Sequence, residues 1–250
     1  THIFLDSVAA NRAQFLFLAR EQYGGSQPVR KILTQLRQRI TDDLAAETAR
    51  GVLMVYAAYR VSSTGSNAVA EAIATVIATA NAAATTLADL FVSAQLETAT
   101  GAPQPPTGTA PTDDTERLTR AVETILDDLD EATDEATDEA TDEATDEPDE
   151  EPDEEPDTDA DEPDPADTAA MRLERLARSE PLDTGQAITV EIINRLPQVT
   201  GWRRVLDADP CERCTRWAED GRVFPKGHHF KRHFNCNCQM EVVTTEGKSA

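Results

Sequence analysis

Four cysteines and one histidine near the end of the chain have the spacing of a metal site. Cys211 and Cys214 form C-x-x-C, and His233, Cys236 and Cys238 form H-x-x-C-x-C; the 250 residues hold no other cysteine. Two thiolates two residues apart curl round one cation, and a second half-site completes the tetrahedron that zinc prefers. The predicted cofactor is therefore a structural Zn2+. Five donors compete for four places. Cys211 and Cys214 are one pair, and the other is drawn from His233, Cys236 and Cys238. In an extended segment residues two apart share a face, so Cys236 and Cys238 can turn to one ion together. His233 then either stands behind them or replaces one. Cysteines confined to such a cluster fit a reducing compartment; the competing reading is a disulfide from Cys211 to Cys236 or Cys238.

Other polar residues lie around the cluster. Arg222, Lys226, Lys231 and Arg232, with His228 and His229, make a modest basic stretch able to meet phosphate, or simply a solvated basic loop. His228 and His229 read as exposed loop histidines. Trp202 and Trp217 are expected to cover the site rather than bind a ligand. So small a module has little core, and bound metal would supply much of its folding energy. No Ser-His-Asp or Cys-His arrangement is visible, so no enzyme is expected.

The elements that must position these residues are mostly helical. Leu5, Val8, Ala9, Ala13, Leu16 and Ala19 keep the three-four spacing of one helix face. Gly24-Gly25 breaks it. Val29, Ile32, Leu33, Leu36, Ile40 and Leu44 form a second stripe, and Val69, Ile73, Val76 and Ile77 begin a third, alanine-rich helix after a turn at Ser62–Ser66. The apolar stretch from Ala68 to Leu96 contains Glu71, Asn81 and Asp89, which make it a poor membrane span. Thr100 to Thr112 is rich in Pro, Gly and Thr and reads as a linker. Leu118, Ala121, Val122, Ile125, Leu126 and Leu129 mark a short amphipathic helix.

The net charge of −24 sits in one tract: Asp113 to Asp167 holds 28 acids against Arg117 and Arg120. The rest is close to neutral, so the acidic whole-chain balance does not exclude nucleic acid. In a helix the Glu-Ala-Thr-Asp repeat would stack Glu131, Glu135, Glu139 and Glu143 at like-charge spacing, and prolines follow, so the tract is predicted disordered. Beyond it, a helix from Met171 is expected to end at Pro181, with another over Ile188–Leu196. Strands are expected at Trp202–Leu206, Arg222–Phe224 and Gln239–Thr244, with one or two helical turns over Glu212–Ala218. The fold class is α+β, mostly α: a helical bundle or hairpin over residues 1–99, a segment over 100–168 with the Pro/Thr linker, short helix and long disordered acidic tract, and a small α+β zinc-knuckle module over 169–250.

Arg175-Leu176-Ala177-Arg178-Ser179-Glu180, Val199-Thr200-Gly201-Trp202-Arg203-Arg204-Val205, C-x-x-C, a Gly221-containing turn and H-x-x-C-x-C together resemble the C-terminal part of the phage Mu protein F-like head morphogenesis family, minor head proteins of tailed bacteriophages. The match covers Met171 to Val243, in the form seen in phages of actinobacteria. Its metal-type positions fall on Cys211, Cys214, His233, Cys236 and Cys238. The acidic insert lies outside the family pattern, and the segment Asp183 to Leu196 lacks its Ala/Arg-rich helix. The resemblance implies a minor capsid protein in the head interior near the portal, assembled in the host bacterial cytoplasm. It would support head assembly, DNA packaging or ejection, with portal, capsid and scaffold proteins and packaged DNA as partners and no membrane. The rivals are a zinc-binding nucleic-acid adaptor and a His-Asn-His type nuclease at His228 and His229.

Overall fold

A computed structural model describes residues 26–62, 65–142, 164–207, 209–234 and 236–245. The stripe expected over Leu5–Ala19 lies outside them. Helix α1 (Ser26–Arg60) is followed by α2 (Ser66–Thr100), α3 (Thr115–Asp142) and α4 (Pro165–Arg195). Strand β1 (Val199–Val205), a short helix α5 (Glu212–Ala218), a 3-10 turn (Glu219–Gly221), β2 (Val223–Pro225) and β3 (Gln239–Thr244) complete the order. The protein is thus mostly helical, with one small antiparallel sheet near its C-terminal end.

The predicted stripes are the core. Leu33 and Ile40 of α1, Val69, Ile73 and Ile77 of α2, and Leu118, Val122, Ile125 and Leu126 of α3 are all buried. Ala49, Val52 and Tyr56 join α2, α3 and α4 in one apolar cluster that includes Ala169, Leu173 and Ala177. Ala70, Ala74, Ala80, Ala83, Ala84, Ala88 and Ala94 are among the buried residues of α2, and such small side chains let neighbouring helices come close. Gly51 serves the same end: a Cβ there would stand 3.3 Å from Val76 Cγ1.

α2 is long and apolar enough to cross a membrane. Here it is the central helix, and neighbours bind its polar residues, although Asn81 Oδ1 is buried without a partner among the described residues. Asn81 Nδ2 donates to Glu180 of α4 at 3.3 Å. Asp89, 4 % exposed, accepts from Thr107 N (2.8 Å), Thr107 Oγ1 (2.9 Å), Gly108 N (2.8 Å) and Thr109 N (3.3 Å). The stretch expected as a free linker is therefore strapped back along α2 after Gly101, whose φ of 70° ends the helix.

Two further expectations change. α3 does not stop at Leu129 but runs to Asp142, so the first Glu-Ala-Thr-Asp repeats are helical rather than disordered; residues 143–163 lie outside the described residues. α4 does not end at Pro181 but continues through it as one helix of 31 residues. An interior proline costs about 3 kcal/mol, but Ala177, Pro181, Leu182 and Gly185 are all buried against other helices, and that packing outweighs the lost hydrogen bond. The helix starts on Pro165, with Asp164 Oδ1 accepting from Ala166 N at 2.8 Å. Arg117 makes a fork with both oxygens of Glu180 (2.9 and 2.6 Å), joining α3 to α4.

The sheet order is β2-β1-β3. Trp202 faces Phe224 on one side and Val242 on the other. The apolar cluster under the sheet contains Ala88, Val92 and Leu96 of α2 and Ile188, Ile192 and Ile193 of α4, together with Trp202, Phe224, Phe230, Met240, Val242 and three of the cysteines. One core thus joins the sheet to helices from both halves of the chain.

Candidate metal centre

β1 delivers the chain to Cys211, which caps α5: its sulfur accepts from Cys214 N at 3.5 Å. This is the C-x-x-C curl in its usual form. Glu219 (φ 44°), Asp220 (φ 53°) and Gly221 (φ 83°) then turn the chain sharply into β2. The second half-site follows β2. Cys236 N donates to His233 O at 3.1 Å, a turn that sets the H-x-x-C spacing.

The five predicted donors converge. His233 Nε2 lies 3.1 Å from both Cys211 Sγ and Cys214 Sγ. Cys214 Sγ lies 3.3 Å from Cys236 Sγ. The donor atoms form two overlapping triads, Cys211-Cys214-His233 and Cys214-Cys236-Cys238, that share Cys214. His233 Nδ1 is 2.7 Å from Phe234 O; donating there leaves Nε2 with its lone pair turned to the sulfurs, the tautomer a metal needs.

The surroundings divide the thiols electrostatically. Burial pushes Cys214 up to about 12. Cys236 is drawn down to about 4, first because the Cys238 thiol donates to it, with the Arg204 charge adding to the effect. Cys238 is raised, chiefly by that same donation. Cys211, the exposed member, is lowered by the Cys214 backbone N–H. Such a set, with one stabilised thiolate and a pinned imidazole, suits a soft divalent cation.

Arg204 backs the sulfurs, a role its place in the Val199–Val205 motif does not mark. It is 4 % exposed, with Nη1 4.0 Å from Cys236 Sγ, its guanidinium 3.9 Å from the centre of Phe230 and 5.5 Å from that of Trp217, and Nη2 donating to Lys231 O. A single arginine in a strand gives no periodic signal of such a role. Trp217 lies 5.9 Å from the His233 ring, beside the donors as expected. Trp202 stacks on Phe224 at 4.7 Å, within the core beneath.

The basic stretch does not form one patch. Arg232 is turned inward, donating to Asp183 (2.7 Å), Ser179 O (3.2 Å) and Cys236 O (3.1 Å), and so fastens the second half-site to α4. Lys226 Nζ donates to Leu196 O at 2.8 Å, and Arg222 pairs with Glu219 at 2.5 Å. Lys231 is exposed and makes no ion pair among the described residues. His228 stacks on Phe224 at 4.8 Å, and His229 is exposed.

Residues 1–100 match the family described as "Tetracyclin repressor-like, C-terminal domain". No curated protein and no solved structure matches the chain. The match overturns the expected kinship with phage head morphogenesis proteins, and with it the minor-capsid role, the head-interior location and the portal, capsid, scaffold and packaged-DNA partners. The motifs behind the former resemblance have local physical causes. Gly201 sits where β2 leaves no room for a Cβ, Trp202 fills the core, Arg204 backs the sulfurs, and the C-x-x-C and H-x-x-C-x-C spacings are those of the knuckles. Together they build a small sheet over a cysteine cluster.

Proposed function

We propose that this chain is a non-enzymatic regulatory protein, a repressor-like helical domain braced by a structural zinc centre. The match of the first 100 residues supports the regulatory half of this reading: a repressor-like C-terminal domain is a regulator's ligand-binding part. On this reading its partners are a small-molecule effector and, through the regulator it serves, operator DNA.

Zinc would be held by Cys211, Cys214, His233 and Cys236. These four are linked by the 3.1, 3.1 and 3.3 Å contacts, and Zn–S bonds of about 2.3 Å put tetrahedral sulfurs about 3.8 Å apart. Binding therefore opens these three contacts by about half an ångström and draws Cys236 toward Cys211 and His233, since the donors stand as two triads that share only Cys214. Cys238 then donates its thiol proton to Cys236 and stays outside the coordination set. His233 carries the assignment, because its Nδ1 is spent on Phe234 O and its Nε2 faces two sulfurs.

Two measurements test the proposal. Metal analysis of the reduced protein should find about one zinc per chain, lost in Cys214→Ser and retained in Cys238→Ser; a folded protein without zinc refutes the centre. Crosslinking the protein in its own cells and sequencing the recovered DNA should show enrichment at discrete promoters. Uniform background recovery refutes the regulatory reading.

A further inference from the structure

The segment Cys236-Asn237-Cys238-Gln239 alternates. Its cysteines face the other donors, and the two residues between and after them, Asn237 and Gln239, are 3 % and 1 % exposed. Alternate side chains of an extended segment point to opposite sides, and these two point into the helices. Asn237 Nδ2 donates to Gln38 O of α1 at 2.7 Å. Its Oδ1 accepts from the Thr41 hydroxyl at 3.0 Å and from Gln239 Nε2 at 2.7 Å. Gln239 Oε1 accepts in turn from Gln186 Nε2 of α4 at 2.9 Å, and the same nitrogen donates to Cys238 O at 3.2 Å. The side chain of Gln38 reaches Leu206 O, on the approach to the first half-site, at 3.3 Å. Arg37 lies in the same buried layer, its Nη2 donating to Gly185 O and Thr189 Oγ1. Helices α1 and α4 therefore meet the cysteine segment through buried, hydrogen-bonded polar groups.

We propose that metal occupancy at the cysteine–histidine centre sets the packing of α1 against α4, so that the protein responds to a soft divalent cation through its helical domain and not only in its sheet. The inference rests on the zinc reading above. A bound ion fixes the phase of the alternation, holding Cys236 outward and hence Asn237 inward. Without it the segment is free to rotate, Asn237 leaves the Gln38–Thr41 turn, and the buried polar layer loses its central member. Removing one member of a buried polar network leaves its partners desolvated and unpaired, which is costly. The effect falls on the part of α1 around Gln38 and Thr41; the apolar cluster with α2, α3 and α4 takes up α1 only from Ala49 onward.

Hydrogen exchange of the full chain with one zinc bound, and after removal of zinc by a chelator under reducing conditions, tests this. Amides of α1 around Gln38 and Thr41 should exchange at least about tenfold faster without zinc, the signature of a local opening. Amides of α3 around Leu118–Leu126, which touch neither the layer nor the centre, should stay unchanged. Thr41→Val, which removes no metal donor, should keep its zinc while the zinc dependence of α1 exchange falls to less than half. Zinc bound and removed with no change in α1 overturns the coupling alone. A protein that binds no zinc overturns the centre and the coupling together. A Thr41→Val chain with undiminished zinc dependence shows that the layer is not the route and likewise overturns the proposal; should that variant fail to fold, the comparison of the unaltered chain with and without zinc decides.

Discussion

Gly201→Ala should unfasten the sheet from which the metal centre hangs. Gly201 lies on the central strand, paired with Pro225 on one side and Val243 on the other. A Cβ there would stand 2.1 Å from Phe224 O, 3.1 Å from Val223 Cγ1 and 3.2 Å from the Phe224 carbonyl carbon. Two of those atoms are backbone, so no rotamer change relieves the clash. Ordinary contact begins near 3.4 Å, which requires β2 to retreat by about 1.3 Å. That shift breaks inter-strand hydrogen bonds, worth about 1 kcal/mol each. It also opens the Trp202–Phe224 stack, worth about 1 kcal/mol beyond its buried area. The expected loss is about 3 kcal/mol for two ladder bonds and the stack. Both tryptophans of the chain, Trp202 and Trp217, lie in this part of the molecule, so intrinsic fluorescence in a urea titration reads it directly. A midpoint shift equivalent to less than about 0.5 kcal/mol, the usual range for a surface change, with unchanged emission would refute the reasoning. Gly185→Ala is the control. It lies inside α4 with its nearest atoms 3.9 Å from the added methyl, and should be neutral or gain up to about 1 kcal/mol.

Asp89→Ala should release the 101–112 strap, costing about 3 kcal/mol because four donors lose a charged acceptor; limited proteolysis within that strap should quicken, and unchanged cleavage would count against its anchoring. Arg37→Met should be neutral or stabilising by about 1 kcal/mol, since burial holds the guanidinium down to about 10 while its Nε and Nη1 find no hydrogen-bond partner among the described residues. A loss above about 2 kcal/mol in thermal melting would reveal a counter-charge. Gln95→Leu should destabilise by about 2 kcal/mol, because the amide accepts from Val242 N and donates to Met240 O, standing in for a fourth strand at the β3 edge; the fluorescence midpoint measures this, and no shift would mean the edge is otherwise covered.

What the sequence reveals depends on the range of each cause. The apolar stripes at Ile32–Leu44, Val69–Ile77 and Leu118–Leu126 are local and repeat with the helix, so their burial follows from spacing alone. The donors are legible for the same reason: C-x-x-C and H-x-x-C-x-C encode short curls, and the fold only brings the two curls together. Pro181 misleads because its local cost is real, and only the contacts of α4 with distant helices reverse it. Asp89 misleads in the opposite way. Read locally it is a flaw in an apolar helix, yet it is the anchor of a segment 18 residues further on.

Asn237 and Gln239 show where local reading stops. Between cysteines they look like spacers, and nothing in their types separates a solvated amide from one buried against α1. Their partners Gln38 and Thr41 lie about 200 residues earlier in the chain, on the polar side of the stripe that predicts α1. A second, polar face therefore exists on that helix, and only a structure can show what covers it. The same pairing gives the cysteine cluster more than a local consequence. The residue held in register by the donors is also the residue that fills the polar gap between α1 and α4, so the chemistry at the sulfurs and the order of the helical core cannot be changed independently.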